Sequence, residues 1–411
     1  MEAYECDRAS RRRNDQRVRS TDLSACRVGN SDLAQALDVT RFAPIVVGQR
    51  LDAVRTRLEG AGLDAVLVGS LTNIRYLTGF TGSAGIAVVT KSGGVLCVDG
   101  RYGQQARDQL DGARCDLEIY VAKTSAEMNQ HVSRVVSAHS RVAFDAHEFT
   151  LAQFESLGGG SEKLQRVDGF IGSVREVKDA SEIERIRFAA KCADEALRIV
   201  PELIGQRVAV TERDVRDELE YVMRRAGADG PSYDTIVASG ENAALPHHRP
   251  GSRTIRDGDT LVIDVGALVE GYHSDMTRTF LIGECSPVLE KMYSTVRDVQ
   301  QQAVKMVRPG ARCGDIDSWC RDEFERLGVA DLVAHSTGHG VGLLIHESPW
   351  LRAGVEDQLK PGQVVTVEPG LYRVGVGGVR IEDLLVVTQT GHTVLTHSPK
   401  ESPCLQSPPT T

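Results

Sequence analysis

The carboxyl-terminal half of the sequence contains a degenerate repeat, and this repeat constrains the fold more than any other feature. Each copy predicts two helices, then a turn glycine, then an apolar strand that ends in an acid. The glycines are Gly258 and Gly362, and the acids six residues later are Asp264 and Glu368. Two copies of an α–α–β–β unit predict halves related by a pseudo-twofold axis, with the acids converging at that axis.

A second acid follows within one hairpin in each copy. Asp275 follows Asp264 after a segment that turns near Glu270-Gly271, and Glu382 takes the corresponding place in the second copy. A hairpin places both aspartates on paired strands, where directly opposed residues point to the same face. Because an uncompensated buried carboxylate is costly, acids at the end of a buried strand predict a nearby cation.

Each of these residues, taken singly, has a simpler interpretation. A lone aspartate at a strand end is typical of a turn or a helix cap. Arg380 and Glu382 fit an ordinary cross-strand ion pair, and a single loop histidine such as His339 is often just hydrogen-bonded. The glycines on either side of His339 favour a loop or strand that a metal can approach closely.

Four carboxylates and one imidazole, taken together, predict a site for two divalent cations. Oxygen donors with one nitrogen favour Mn²⁺, Co²⁺ or Zn²⁺ over a thiolate-type site. Two metals roughly 3.5–4 Å apart can share a bridging water and lower its pKa toward about 7. The predicted ligands are Asp264, Asp275, His339, Glu368 and Glu382.

Composition and periodicity divide the chain into four segments. We predict a disordered extension over residues 1–41, an α/β domain over 42–173, the catalytic domain over 174–402 and a tail over 403–411. The extension contains Arg11-Arg12-Arg13 and little apolar periodicity. Apolar runs in the second segment predict a helix over 50–60 and strands over 64–69, 86–90 and 94–99.

A capping box at the start of the catalytic domain predicts a long helix. The box is Ser181-x-x-Glu184, and the helix continues to about Leu203. The other predicted helices of the repeat span residues 212–225, 288–307 and 315–327.

The composition is that of a globular protein, with 41% hydrophobic and 26% charged residues. A net charge of −9 makes nucleic acid and anionic membrane surfaces poor partners. No apolar run reaches the roughly 18 to 20 residues of a membrane span. The nine cysteines are odd in number and scattered, which favours a reducing compartment, the cytoplasm, over a disulfide framework.

Several sequence strings together resemble the pita-bread metallopeptidases, and most closely the branch of Xaa-Pro dipeptidase (prolidase) and aminopeptidase P. The resemblance covers about residues 48–400 and leaves out residues 1–40. In the repeat the strings are Asp264-x10-Asp275-Met-Thr-Arg278, Gly338-His-Gly-Val-Gly342, Val367-Glu-Pro-Gly370 and Gly378-Val-Arg-Ile-Glu382. In the amino-terminal domain they are Asn73-Ile-Arg-Tyr-Leu-Thr-Gly-Phe80 and Asp99-Gly-Arg-Tyr102.

This resemblance implies an α/β (α+β) protein, with a carboxyl-terminal pita-bread catalytic domain that is preceded in the chain by a smaller creatinase-like α/β domain. It implies hydrolysis of the Xaa-Pro bond at the amino terminus of short peptides or dipeptides by a water that two metals activate. Asp264 and Asp275 would bind one metal, and Asp275 would bridge the two metals or chelate. His339 and Glu368 would bind the other metal, and Glu382 would bridge both. Glu368 would also relay the proton of the water. Mn²⁺ is the expected metal, with Co²⁺ or Zn²⁺ as alternatives.

Further catalytic residues follow from the same resemblance. His247 matches a position close to the scissile bond, and His346 matches one that contacts the carbonyl or carboxylate of the substrate's proline. His335 matches an active-site position more loosely. Arg380 matches an arginine near Glu382 that orients a ligand carboxylate. Residue 248, beside His247, is predicted to be a surface histidine.

Two other functions share this fold. One is a metal-free creatinase-like amidinohydrolase, and the other is a non-catalytic pita-bread binding module. Both predict lost acidic ligands, whereas all five ligand positions are filled here. The resemblance also implies a homodimer and short proline-containing peptides as substrates. The preferred peptide length stays open, because it depends on how the far end of the substrate is walled off.

Overall fold

The structure, a computed structural model, describes residues 42–401 and 403–409. The extension predicted for residues 1–41 lies outside these ranges. No helix among the described residues is long and apolar enough to cross a membrane. The seven cysteines within the described ranges are all free thiols.

The amino-terminal domain is built on a six-stranded sheet. Its strands are Ala65–Val68 (β1), Ile86–Thr90 (β2), Gly94–Asp99 (β3), Glu118–Ala122 (β4), Val142–Phe144 (β5) and Leu164–Arg166 (β6). Their order is β4-β3-β2-β1-β5-β6, with antiparallel β1–β2 and β2–β3 pairs and parallel outer pairs. The strands predicted over 86–90 and 94–99 are therefore confirmed as β2 and β3. The helices are Gly48–Gly60 (α1), Leu71–Thr78 (α2), Gly103–Gly112 (α3), Ser125–Ser137 (α4) and Leu151–Ser156 (α5).

The catalytic region carries six helices in the described part of the chain. They are Gly172–Arg175 (α6), Ala180–Leu197 (α7), Val200–Gln206 (α8), Glu212–Arg225 (α9), Pro287–Met306 (α10) and Cys313–Arg326 (α11). The predicted start of α7 was wrong by two residues, because the capping box consists of Asp179 and Glu182. Asp179 accepts a hydrogen bond from the backbone N–H of Glu182, and the Glu182 carboxylate accepts one from that of Asp179.

The predicted long helix through Leu203 was also wrong, because the chain breaks it into α7 and α8. Pro201 lies in the first turn of α8. A proline has no N–H to donate, and its ring clashes with the carbonyl four residues earlier, so it cannot continue α7. The first turn of a new helix tolerates it, since the N–H groups there have no intrahelical partner.

Two larger sheets and two smaller ones make up the rest of the catalytic region. The strands are Gly230–Pro231 (β7), Ile236–Ser239 (β8), Thr260–Asp264 (β9), Ala267–Val269 (β10), Tyr272–His273 (β11), Thr277–Ile282 (β12), Gly338–Gly340 (β13), Glu347–Leu351 (β14), Val364–Val367 (β15), Gly370–Arg373 (β16), Gly377–Arg380 (β17), Asp383–Val387 (β18), His392–Val394 (β19) and Cys404–Leu405 (β20). The larger sheets have the orders β20-β12-β9-β8 and β14-β13-β15-β18-β19. The segment predicted as a tail thus contributes β20, which runs parallel to β12.

The two larger sheets correspond to the two copies of the repeat. In the first, β9 pairs antiparallel with β12, and Asp264 lies opposite Thr277. In the second, β15 pairs antiparallel with β18, and Val367 lies opposite Asp383. Asp275 precedes β12 instead of lying on a strand opposite Asp264, so that detail of the prediction was wrong. The turn at Glu270-Gly271 is present, and both residues have positive φ.

An apolar cluster joins the two domains. Val66 and Leu77 of the amino-terminal domain pack in one buried cluster with Tyr272, Val341 and Leu384 of the catalytic region. Burying a side chain of this size contributes roughly 1.5–3 kcal/mol. The amino-terminal domain is therefore held directly against the strands that carry the acids.

Asp317 on α11 anchors the segment that leads into β13. Its side chain is 1% exposed, and it accepts hydrogen bonds from the N–H and hydroxyl of Thr337, the N–H of Ala353 and the guanidinium of Arg321. In Asp317→Ala these donors lose their partner, so we expect the thermal unfolding midpoint to fall by roughly 5 to 10 °C in calorimetry. Asp315→Ala, on the same helix with a side chain 64% exposed, is the control. Equal midpoints for the two variants would contradict this anchoring role.

Candidate metal centre

The five predicted ligands lie where the strands of the two halves meet. Asp264 ends β9, Asp275 precedes β12, His339 is central in β13, Glu368 follows β15, and Glu382 lies between β17 and β18. The Nε2 atom of His339 is 3.2 Å from Oε1 of Glu368 and 3.6 Å from Oδ2 of Asp275. One ligand atom each of Asp275, His339 and Glu382 lies within 4.8 Å of the others, and all three residues are buried.

One carboxylate oxygen in this cluster has no partner. Glu382 is 1% exposed, and its Oε2 accepts a hydrogen bond of 2.7 Å from the hydroxyl of Thr277. Its Oε1 is buried without any hydrogen bond from the described residues. A buried acceptor without a donor is costly, and a divalent cation beside Asp275 and His339 would satisfy it. The donor set therefore fits a metal.

The electrostatics of the cluster point the same way. Burial and the charges of Asp264 and Glu368 raise the pKa of Asp275 well above its usual range. Burial and the charges of Asp275 and Glu368 do the same to the pKa of Glu382. Clustered acids resist ionising together unless positive charge is supplied, and a bound cation supplies it.

His339 is oriented for coordination by its second ring nitrogen. Nδ1 donates a hydrogen bond of 3.1 Å to the carbonyl of Gly340, which leaves Nε2 facing the acids. Close packing against neighbouring backbone requires glycine on either side of His339. A Cβ on Gly338 would lie 2.1 Å from the carbonyl oxygen of Thr366, and one on Gly340 would lie 2.3 Å from that of Ser348. The glycines therefore admit the close approach of neighbouring backbone segments.

Tyr233 is a site residue that the sequence did not reveal. Its hydroxyl donates to Oδ1 of Asp264 and, at 2.5 Å, to Oδ1 of Asp275. The residue lies in the loop after β7 and belongs to no recognisable motif, so no signal in the sequence pointed to it.

Arg380 contacts the carboxylate of a predicted metal ligand, and that ligand is Asp264. Its guanidinium donates to Oδ2 of Asp264 at 2.6 Å, and no direct bond to Glu382 exists. The simpler interpretation, an ordinary ion pair between Arg380 and Glu382, is therefore wrong. The two residues are connected through Thr277, whose hydroxyl accepts from Nε of Arg380 at 3.0 Å and donates to Glu382.

A chain of hydrogen bonds links Arg380 to His335. Arg380 donates to the hydroxyl oxygen of Tyr372 at 2.8 Å, and that hydroxyl donates to Nε2 of His335 at 2.7 Å. Nδ1 of His335 donates to the carbonyl of Ser336. Burial lowers the pKa of His335, so the imidazole is neutral near pH 7. Tyr372, like Tyr233, was missed by the sequence analysis.

His346 and His247 lie at the open side of the cluster, and both are exposed. The ring of His346 contacts that of His339 edge-on, with the centroids 4.4 Å apart. Burial and the neighbouring His339 lower the pKa of His346. His247 acts electrostatically on both His335 and His346, which places it on the same side of the site.

The loop that carries His247 is pinned at both ends by Glu212, the first residue of α9. Oε1 of Glu212 accepts from Ser239 and Asn242 before His247, and Oε2 accepts from His248 and Gly251 after it. The prediction of His248 as a surface residue was therefore wrong, since its side chain is only 15% exposed. Burial raises the pKa of Glu212, but these hydrogen bonds outweigh it and lower the pKa.

Buried acids and a histidine at the junction of two similar α/β halves define the class of metal-dependent hydrolases. Residues 184–389 match metallopeptidase family M24, and residues 50–177 match the creatinase/prolidase amino-terminal domain. The chain belongs to metallopeptidase family M24, and the predicted resemblance to the pita-bread metallopeptidases is confirmed.

The relatives cover nearly the whole described chain. An Xaa-Pro dipeptidase of Pyrococcus furiosus is 33% identical over an alignment of 369 residues that covers 86% of this chain and 99% of the relative. The structure of an Xaa-Pro dipeptidase from Bacillus anthracis matches with a TM-score of 0.81 at 35% identity, covering 87% of this chain and 99% of that one. An X-Pro aminopeptidase from Thermotoga maritima matches with a TM-score of 0.76 at 31% identity, covering 86% and 99%. The predicted pita-bread fold class is thereby confirmed.

Replacing Glu212 should release the His247 loop. Glu212→Gln removes the charge that these donors bind, and a hydrogen bond to a charged group is worth about 1.5–3 kcal/mol. We expect amide hydrogen exchange of residues 240–251 to quicken by about 10-fold or more. Asp217→Asn, on the same helix with a side chain 60% exposed, should leave it unchanged. Unaltered exchange in Glu212→Gln would show that the loop is held by other contacts.

Proposed function

We propose that this protein is a metal-dependent hydrolase of the Xaa-Pro bond at the amino terminus of short peptides or dipeptides. The observation that carries the proposal is the convergence of buried acids around His339, with Oε1 of Glu382 unpartnered. The names of the relatives support the substrate class, since they are Xaa-Pro dipeptidases and an X-Pro aminopeptidase.

Five side chains would hold two divalent cations. Oxygen donors with one nitrogen favour Mn²⁺, which we propose as the metal, with Co²⁺ or Zn²⁺ as alternatives. When bound, the cations would polarise the scissile carbonyl and make water acidic enough to act as a nucleophile near neutral pH. The proposed ligands are Asp264, Asp275, His339, Glu368 and Glu382.

Glu368 is the proposed proton acceptor. Burial raises its pKa, but the hydrogen bond from His339 and the positive charges of His339 and Arg380 lower the pKa to about 2. The carboxylate is therefore ionised at neutral pH. Its Oε1 accepts a hydrogen bond of 3.2 Å from the hydroxyl of Thr366, which would leave Oε2 to take the proton.

The other proposed catalytic residues bind and orient. His346 has a lowered pKa, so it can donate a hydrogen bond to a substrate oxygen without being charged. His335 is also neutral, but its Nδ1 donates to Ser336 and its Nε2 accepts from Tyr372, so its role is to position the Tyr372 hydroxyl. We assign His346 to the carbonyl or carboxylate of the proline and His247 to the scissile bond, while His335 is held by Tyr372 at the edge of the site. Arg380 fixes the orientation of Asp264.

The imide bond before proline explains why such a site is useful. It has no N–H, so an enzyme that grips an extended backbone through that donor loses its hold. A site that binds the amino terminus and the scissile carbonyl at a metal centre does not need the donor. We also propose a cytoplasmic location, in keeping with the free thiols of the described cysteines, and a homodimer.

Chelation should abolish the activity, and Mn²⁺ should restore it. We expect hydrolysis of an Xaa-Pro dipeptide by the purified protein to fall at least about 100-fold after chelation, because the water loses its activation. A parallel assay with an Xaa-Pro-Yaa tripeptide measures the preferred length. Chelator-resistant cleavage would contradict the metal mechanism, and no cleavage of either peptide by metal-loaded protein would contradict the Xaa-Pro assignment.

Removing a ligand should unload the metal without unfolding the protein. We expect Asp264→Ala and Glu382→Ala to lose at least one of the two metals in elemental analysis, and activity by more than about 100-fold. Their thermal midpoints without metal should stay close to that of the wild type. Glu325→Ala, exposed on α11, is the control. Full metal content or full activity in either ligand variant would rule out the assignment.

A further inference from the structure

Trp350 lies directly beside the candidate metal centre. It is on β14, and its Cα is paired with that of His339 on the adjacent antiparallel strand β13. Directly opposed residues of two strands project to the same face of a sheet. The indole and the imidazole accordingly approach each other, with ring centroids 6.2 Å apart and planes tilted by 53°.

The indole is more open to solvent than its position in the sheet would suggest. Trp350 is 37% exposed, whereas the next residue of the strand, Leu351, is fully buried. An aromatic ring left open beside buried acids presents an apolar surface to whatever occupies the site. Such a surface in a polar site is typical of a contact that selects a ligand.

An irregularity in β14 places two rings around His339. Gly340 pairs with Glu347 while His339 pairs with Trp350, so Ser348 and Pro349 are extra residues on β14. As a result His346 and Trp350 both flank His339, with centroid distances of 4.4 Å and 6.2 Å.

Two basic side chains hold the start of this strand in place. The carboxylate of Glu347 forms ion pairs with Arg175 and, at 2.7 Å, with Lys178, and all three side chains are at most 9% exposed. Arg175 also donates to the side chain of Asn73 in the amino-terminal domain at 2.8 Å. A fixed strand presents a fixed aromatic surface, which is what a selective contact requires.

We infer that Trp350 is a specificity-determining residue that packs against the pyrrolidine ring of the substrate's proline, an inference that rests on the proposed function. The prolyl ring is apolar and rigid, and aromatic surfaces are the usual docking sites for proline in extended peptides. The indole carries no charge and forms no ion pair with the carboxylate of a dipeptide, so we assign its flat face to the ring. Its contribution is therefore the same for dipeptides and for longer Xaa-Pro peptides.

The test separates the ring from the missing N–H. Ala-Pro and Ala-(N-methylalanine) both lack the N–H, but only Ala-Pro has the ring. For metal-loaded Trp350→Ala we expect kcat/KM for Ala-Pro to fall about 10-fold, mainly through KM. The inhibition constant of Ala-(N-methylalanine), measured as a competitor, should change less than about twofold. Ala-Pro-Ala should show the same loss as Ala-Pro.

Two further variants keep the test decisive if Trp350→Ala is poorly folded. Trp350→Phe keeps an aromatic surface and should retain kcat/KM within about threefold, whereas Trp350→Leu keeps apolar volume without the flat ring and should behave like Trp350→Ala. Bound metal and thermal midpoint are measured for each. Equal losses on both ligands, or an unchanged KM for Ala-Pro in Trp350→Leu, would overturn the inference. A wild type that cleaves no Xaa-Pro peptide would instead overturn the proposed function.

A direct readout is available because the chain has only two tryptophans. Trp319 packs against the core of the second half, so Trp319→Phe leaves Trp350 as the sole indole. Its emission should shift when metal-loaded Trp319→Phe is mixed with Ala-Pro in a stopped-flow instrument, and shift less with Ala-(N-methylalanine). Identical or absent shifts for the two ligands would contradict the packing of the indole on the ring.

Discussion

Repulsion among buried carboxylates is the constraint on which the rest of this structure depends. Burial and the charges of neighbouring acids raise the pKa values of Asp275 and Glu382, and each of the four acids is met by a donor from elsewhere in the chain. The donors are Arg380 for Asp264, Tyr233 for Asp275, His339 for Glu368 and Thr277 for Glu382. Because these donors come from both sheets and from the loop after β7, the acids are balanced only when the two halves are assembled.

The two halves share an architecture but divide the chemistry unequally. The first supplies aspartates, and the second supplies glutamates and the one imidazole. Tyr233 belongs to the first half, whereas Arg380 reaches from the second half into the first to bind Asp264. Two cations bound by these acids would have different surroundings. The one beside Asp264 would lie near the phenol of Tyr233 and the guanidinium of Arg380, and the other would lie near His339. Such an arrangement favours a division of labour between the two positions.

The sequence predicts what depends on local pattern and misses what depends on distant contact. The places of Asp264 and Glu368 follow from a turn glycine and an apolar strand, both of which are local signals. Tyr233 lies 31 residues from Asp264 and 42 from Asp275, so its role arises only from the fold. Proximity in the chain was misleading for Arg380, which is two residues from Glu382 but binds Asp264, 116 residues away. The break between α7 and α8 is an exception, because it has a local cause, Pro201, and the sequence analysis still missed it.

The ion pairs of Glu347 bear on whether the two domains can be exchanged between related proteins. Arg175 and Lys178 belong to the segment that connects the domains, yet they hold the strand that carries Trp350. A chimera joined at residue 173 would take Asn73 from one parent protein and Arg175 and Lys178 from the other. It would separate Arg175 from Asn73, which are hydrogen-bonded here. A domain can therefore be exchanged without leaving a charge unpaired only if the two parent proteins have compatible residues at these positions. In this protein the exchange of a domain is therefore limited by the contacts of Arg175, Lys178 and Glu347 across the boundary as well as by the position of the boundary.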